Sequence, residues 1–232
     1  MTKRCSLALA AIPLLACVTG ARAGDTRTEF VPQVQAYLKL SDRTRLFLLG
    51  SLSQGLSEST TTGVLSAHLD VTLMPILRRG LRDADWERER YLWVRIGYQL
   101  LGNLDDRENG FTEHRGILEL TARALLPFDV SLVSRGRVDL RDLDGEFSTR
   151  FRYRLGIERE LTMGGVPLVP YARAEVFYDT RFGAWNRQLY QAGVEIEITK
   201  RWRVEPSYAR QEDQRSSTAH VNRVGLALKT YW

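Results

Sequence analysis

The chain has 232 residues, 33 of them basic and 28 acidic, for a formal charge of +5, and it holds two cysteines, Cys5 and Cys17. Both cysteines and three of the bases (Lys3, Arg4 and Arg22) fall in the first 23 residues; beyond them 30 bases face 28 acids, a charge of +2. That near-balance excludes the strong basic excess of a nucleic-acid binder, and loss of both thiols excludes a disulfide scaffold.

The amino terminus reads as an export signal. "MTKR" is a basic n-region, residues 5–18 are an apolar run interrupted by Ser6 and Pro13, and "TGARA" brings small residues at Ala21 and Ala23. This layout predicts cleavage after Ala23, leaving residues 24–232 as one domain. The apolar run is shorter than the roughly 20 residues a membrane helix needs. The alternative is a lipoprotein box in "LLAC", with Cys17 as the lipid-bearing first residue.

From there on, polar and apolar side chains alternate with period two in about eleven segments. Val34, Ala36, Leu38 and Leu40 alternate with Gln33, Gln35, Tyr37 and Lys39; Leu46, Leu48, Gly50 and Leu52 oppose Arg43, Arg45 and Ser51. Leu65, Ala67, Leu69, Val71 and Leu73 then oppose Ser66, His68, Asp70 and Thr72, and Leu92, Val94, Ile96 and Tyr98 oppose Arg95 and Gln99. Leu118, Leu120, Ala122 and Ala124 face away from Arg115, Glu119, Thr121 and Arg123; Leu132, Val138 and Leu140 face away from Arg135, Arg137 and Asp139.

In "STRFRYRLGIERE", residues 148–160, a strand would set Arg150, Arg152 and Arg154 on one face and Phe151, Tyr153 and Leu155 on the other. Ala172, Ala174, Val176 and Tyr178 follow against Arg173 and Glu175, then Tyr190, Ala192, Val194 and Ile196 against Arg187, Gln191, Glu195 and Glu197. Trp202, Val204, Pro206 and Tyr208 oppose Arg203 and Glu205, and Val224, Leu226 and Leu228 oppose Arg223 and Lys229. No helical period runs beside these.

Short turns ("SDR", "PFD", "TKR") alternate with longer loops, among them "QGLSESTTTG", "RDLDGE", "DTRFGAWN" and "EDQRSSTAH"; "RRGLRDADWERE" is longer than its place predicts. Alternation alone fits a lipocalin-like barrel with the arginines outside or a transmembrane barrel with them inside. Segment length favours the membrane, since tilted spans need about 9–11 residues and soluble strands average nearer 5–6. So do the aromatics: Tyr98, Phe147, Tyr178 and Tyr190 toward one rim and Trp202 and Trp232 toward the other read as interface girdles. The expected fold is an all-β, antiparallel, up-and-down transmembrane β-barrel. Eleven segments clash with the even strand count of bacterial barrels, so twelve strands are expected, with ten as the alternative.

"RFRYRLGIE" at 150–158, "PYARAEVF" at 170–177, "NRQLYQAGVE" at 186–195 and "EPSYARQ" at 205–211 resemble the domain of unknown function 2490 family of Gram-negative outer-membrane proteins. The resemblance implies an outer-membrane barrel and no particular activity. The carboxy-terminal strand ending on Trp232 resembles the signal read by the outer-membrane barrel assembly machinery, which makes that machinery and outer-membrane lipid the expected partners.

With the polar phase inward, the lumen receives Arg45, Arg95, Arg115, Arg123, Arg135, Arg137, Arg150, Arg152, Arg154, Arg173, Arg187, Arg203 and Arg223, and the acids Asp70, Glu119, Asp139, Glu158, Glu175, Glu195, Glu197 and Glu205. Two uses compete. A porin-like path could hand small anionic solutes from one guanidinium to the next, Arg150 to Arg152 to Arg154. A salt-bridge plug would instead close a structural component of an envelope complex, with Arg173 and Glu175 pairing toward Arg187, Glu195 and Glu197. A lipid-active enzyme is a distant third. The histidines are His68, His114 and His220, and none is joined by a nucleophile and an orienting group in a recognisable motif. No cofactor or metal ligand set is expected.

Overall fold

A computed structural model describes residues 26–56, 60–73, 91–105, 110–214 and 220–232. The leader, with Cys17, and the "RRGLRDADWERE" segment lie outside the described residues. The strands are β1 (Thr26–Lys39), β2 (Thr44–Gly55), β3 (Thr61–Thr72), β4 (Leu92–Asn103), β5 (Thr112–Leu125), β6 (Val130–Leu143), β7 (Glu146–Arg159), β8 (Leu161–Met163), β9 (Val166–Asp179), β10 (Ala184–Glu197), β11 (Trp202–Asp213) and β12 (His220–Tyr231). Period-two alternation is what produces them, for only a strand keeps the charged and apolar residues of each segment apart.

Consecutive strands pair antiparallel, β7 passing directly to β9, until β12 meets β1 and the sheet closes. The closing pair is parallel, in continuous register from Thr26 opposite His220 to Tyr37 opposite Tyr231. The Trp232 amide donates to the Tyr37 carbonyl at 2.9 Å and the Lys39 amide to the Trp232 carbonyl at 2.8 Å, prolonging the seam. β8 pairs only with β9, across the turn at Gly164 and Gly165, and has no place in the ring.

The wall therefore has eleven strands in a mixed sheet, which corrects the expected twelve (or ten) wholly antiparallel ones. An even count follows only when every neighbouring pair is antiparallel, and one parallel pair lifts that requirement. Residues 26–39 are a full wall strand. A second correction concerns "RDLDGE": strands run to Leu143 and from Glu146, leaving a two-residue turn. Asp144 and Gly145 both take positive φ there, 52° and 88°, the turn whose twist matches a hairpin.

The partition of side chains is inverted relative to a water-soluble barrel. Asp70, Asp139 and Asp179 are fully buried, whereas Leu65 is 66% and Leu118 53% exposed. The apolar phase faces outward on every wall strand, and each of the eleven wall strands has a paired neighbour on both sides. Hydrocarbon imposes both conditions, because an exposed backbone amide or side-chain charge has no water there to solvate it. The outward aromatics lie on this surface: Tyr98, Phe147, Tyr190, Trp202 and Trp232 are exposed, and Tyr178 packs against Phe151 and edge-on to Trp185.

A charge placed on this outer surface should be costly. Leu118→Arg, midway along β5, is expected to lower stability by about 2–4 kcal/mol. Urea unfolding in lipid vesicles, followed by tryptophan fluorescence, checks this; a change under about 0.5 kcal/mol would place Leu118 in water.

Candidate functional site in the barrel interior

Register brings the interior charges together. Hydrogen-bonded pairing sets Arg45 opposite Asp70, Asp70 opposite Arg95, Arg95 opposite Glu119, Glu119 opposite Arg137 and Arg137 opposite Arg152. One cross-strand row thus alternates in sign from β2 to β6, and directly opposed residues are close enough for each carboxylate to serve two neighbours.

The contacts follow the row. Asp70 accepts from Arg45 Nη2 at 2.6 Å and from Arg95 Nε at 2.6 Å. Glu119 lies 3.3 Å from Arg135 and 4.0 Å from both Arg95 and Arg137. Glu175, 2% exposed, takes three guanidiniums: Arg135 at 2.9 Å, Arg152 at 2.8 Å and Arg154 at 2.7 Å. Asp139 accepts from Arg137 at 2.5 Å, and Arg152 approaches it at 3.6 Å. Arg123 pairs with Glu158 at 3.0 Å. On the other side of the ring Glu195 holds Arg203 at 2.7 Å and Lys229 at 2.5 Å, Glu197 meets Arg203 at 3.5 Å, and Glu205 meets Arg173 at 3.4 Å and Lys229 at 2.5 Å.

The two halves of the interior differ. Away from Trp232, Glu113 accepts from Arg115 at 2.6 Å and also from Arg141, and Asp179 binds both Arg141 and Arg150 at 2.8 Å. Arg187 with Asp213 at 2.5 Å, Arg223 with Glu29 at 2.9 Å and Arg27 with Glu29 at 3.2 Å lie in that half as well. The half nearer Trp232 encloses a cavity of about 440 Å³, reached by Tyr37, Arg45, Arg95, Arg135, Arg152, Arg173, Arg203 and Lys229. Ten Arg and Lys side chains line it against four Glu. Asp70, Asp139 and Glu175 lie behind their arginines, outside its lining. The Nε groups of Arg135 and Arg173 are buried without a protein acceptor, so both guanidiniums have a donor left over.

The cavity also has an aromatic side. Tyr231, Tyr37, Phe47 and His68, on the adjacent strands β12, β1, β2 and β3, stack at 4.9, 4.7 and 5.3 Å between ring centroids, with interplanar angles of 10°, 13° and 18°. Arg45 stands 4.4 Å from the Tyr37 ring and Arg95 4.4 Å from the Phe47 ring. The row ends over Gly97, where a Cβ would sit 2.0 Å from His68 Nδ1; only glycine leaves the imidazole room to lie against β4.

All the lumenal arginines and carboxylates read from the sequence face the interior in these contacts, but several pair otherwise than expected. Arg173 and Glu175 do not pair toward Arg187, Glu195 and Glu197: Arg187 lies opposite Phe177 and Asp213, past a register shift between Trp185 and Arg187. Nor do Arg150, Arg152 and Arg154 form one relay, since Arg150 belongs to Asp179 and the other two share Glu175. Interior charges outside the set read from the sequence include Arg27, Glu29, Glu113, Arg141, Asp179, Asp213 and Lys229. Glu113, Arg141, Asp179 and Asp213 lie in phase with their strands but in stretches that read as loops or loop margins, because the strands run further than the turn residues suggest. His68 lines the cavity, whereas His114 meets the Tyr98 hydroxyl and His220 meets Arg210 on the outer surface. Among the described residues no cluster of His, Cys, Asp and Glu is arranged to hold a metal ion.

A family model described as "Protein of unknown function (DUF2490)" matches residues 84–222. Among solved structures, the beta domain of the Bordetella autotransporter BrkA aligns at 14% identity over 82% of this chain and 82% of its own, with a TM-score of 0.45. The siderophore receptor PirA from Pseudomonas aeruginosa aligns at 14% identity over 76% of this chain and 32% of its own, with a TM-score of 0.27. No curated protein sequence matches the chain.

The three-arginine node allows an unequal pair of substitutions. Glu175→Gln takes one counter-charge from each of three buried guanidiniums, leaving Arg135 only Glu119 and Arg152 only Asp139 among the pairs described, and is expected to cost about 3–5 kcal/mol. Arg154→Gln should cost clearly less, because Arg135 and Arg152 keep the carboxylate paired. Urea unfolding of both variants measures the difference; equal costs would deny Glu175 its role as the shared anion.

Proposed function

Because the chain belongs to the DUF2490 family, whose description assigns no activity, we propose its role from the barrel interior: an integral outer-membrane barrel that passes small anionic solutes through a narrow, arginine-rich lumen. One observation carries this reading, the ten cations and four carboxylates around the 440 Å³ cavity. Net positive lining raises the local concentration of anions, and guanidinium forks match carboxylate and phosphate oxygens. The geometry of the ion pairs supports it as well. Every pair described above joins side chains on one strand, on neighbours, or on strands one further apart, so the pairing follows the wall instead of crossing the lumen.

In this reading residues 1–23 direct export, the strand ending at Trp232 is presented to the barrel assembly machinery, and the apolar exterior sits in outer-membrane lipid. The role includes no catalysis. A second reading is a non-conducting barrel that serves an envelope complex, and the cluster of Glu113, Arg141, Arg150 and Asp179 favours it, since a closed constriction there would seal the cavity at one end.

Bilayer recordings of the detergent-refolded protein under a KCl gradient decide between them. The expected result is discrete openings with an anion-selective reversal potential that moves toward zero in an Arg150→Ala, Arg152→Ala, Arg154→Ala variant. A folded, heat-modifiable barrel that never conducts would sink the passage and leave the plug.

A further inference from the structure

Two neighbouring interior pairings set like charges face to face. Register places Arg135 of β6 directly opposite Arg154 of β7, and Arg137 of β6 directly opposite Arg152 of β7. The row that alternates in sign from β2 to β6 breaks here. The four arginines spring from a square about 5 Å across the strands and about 7 Å along them. Like charges so opposed destabilise a sheet unless counter-charges hold them. Three carboxylates do so from the edges of the square: Glu119 on β5, Glu175 on β9 and Asp139 one step along β6.

Those carboxylates do not cover the square. Their side chains are at most 4% exposed, whereas those of the four arginines are 11–16% exposed, and all four arginines line the cavity. What the square turns to the open space is therefore guanidinium. Donors also outnumber acceptors, since four guanidiniums carry about twenty N–H groups against about twelve acceptor sites on three carboxylates. The Nε of Arg135 has no protein acceptor at all.

Resting on the reading of the interior as a path for small anions, the geometry points to the square of Arg135, Arg137, Arg152 and Arg154 as a site for phosphate and small phosphate monoesters. A phosphate group carries nearly two negative charges and three strong acceptor oxygens that do not share a plane. It can take guanidinium forks from β6 and β7 together and relieve the repulsion across both opposed pairs. Acetate has one charge and two oxygens in one plane, which match a single fork. Chloride offers charge alone. The cavity is within the range that encloses small organic ligands, so a small phosphate ester fits with some of its water.

Titration calorimetry on the folded barrel in detergent, at about pH 8 where phosphate is mostly doubly charged, tests this with three probes: phosphate, malonate and acetate. Malonate matches the charge of phosphate but not its shape. Phosphate should bind about tenfold more tightly than acetate, with malonate between the two. Arg135→Gln with Arg154→Gln removes one opposed pair but leaves Glu119 near Arg137 and Glu175 with Arg152. In that variant phosphate affinity should fall about tenfold and acetate affinity by less. If it does not fold, Arg154→Gln alone should give the same change at smaller amplitude. Phosphate no tighter than acetate, malonate as tight as phosphate, or phosphate affinity unchanged in the variants overturns the inference. Phosphate binding that weakens in the variants of a barrel that passes no current upholds it and defeats the passage; anion current without a phosphate preference does the reverse.

Discussion

The ion pair between a buried carboxylate and the guanidiniums of neighbouring strands is the interaction on which this barrel depends. The apolar phase of each strand faces out and the charged phase in, and a charge taken from water is tolerable only where an opposite charge and hydrogen bonds replace the water. Asp70 between Arg45 and Arg95 shows the local form, and Glu175 beneath Arg135, Arg152 and Arg154 the extreme one. These pairs form only when the strands stand in one register, for a slip of one residue would turn the arginines to the apolar outer face. The charges thus fix strand alignment as well as filling the interior.

The same arrangement gives the lumen its sign. Placing a carboxylate under several arginines hides the anion against the wall and leaves the cations nearer the open space. Pairing and anion attraction are compatible for that reason. A wall of one-to-one pairs would be neutral, whereas shared carboxylates leave positive charge over. The interior then divides along its axis, with room in the half near Trp232 and a close cluster around Asp179 in the other.

Much of the wall is legible in the sequence, because alternation such as that of Arg150, Arg152 and Arg154 with Phe151, Tyr153 and Leu155 reports directly on two faces. Which face meets lipid follows less directly, from span length and from aromatics at strand ends. Parity is not legible at all, since nothing in the composition of β1 distinguishes a parallel neighbour from an antiparallel one. Partners are also hidden: Arg173 pairs with Glu205 and not toward Glu195 because of register, a property of two strands together. Arg141 and Asp179 could have been found by carrying the alternation of β6 and β9 to the first residue of each apparent loop. Phe47 could have been noticed as an aromatic in the polar phase, beside Arg45.

The parallel seam bears on the order in which the wall is made. Every other neighbouring pair joins segments close in sequence, and such hairpins form early because little chain must be gathered. Arg223 and Glu29, hydrogen-bonded across the seam, stand 194 positions apart. The seam is the contact of longest range, so it is the last to form, and until it does the first and last strands each carry a bare edge. Closure is then a single late event in the life of the chain, one that brings together the oldest and youngest parts of the wall.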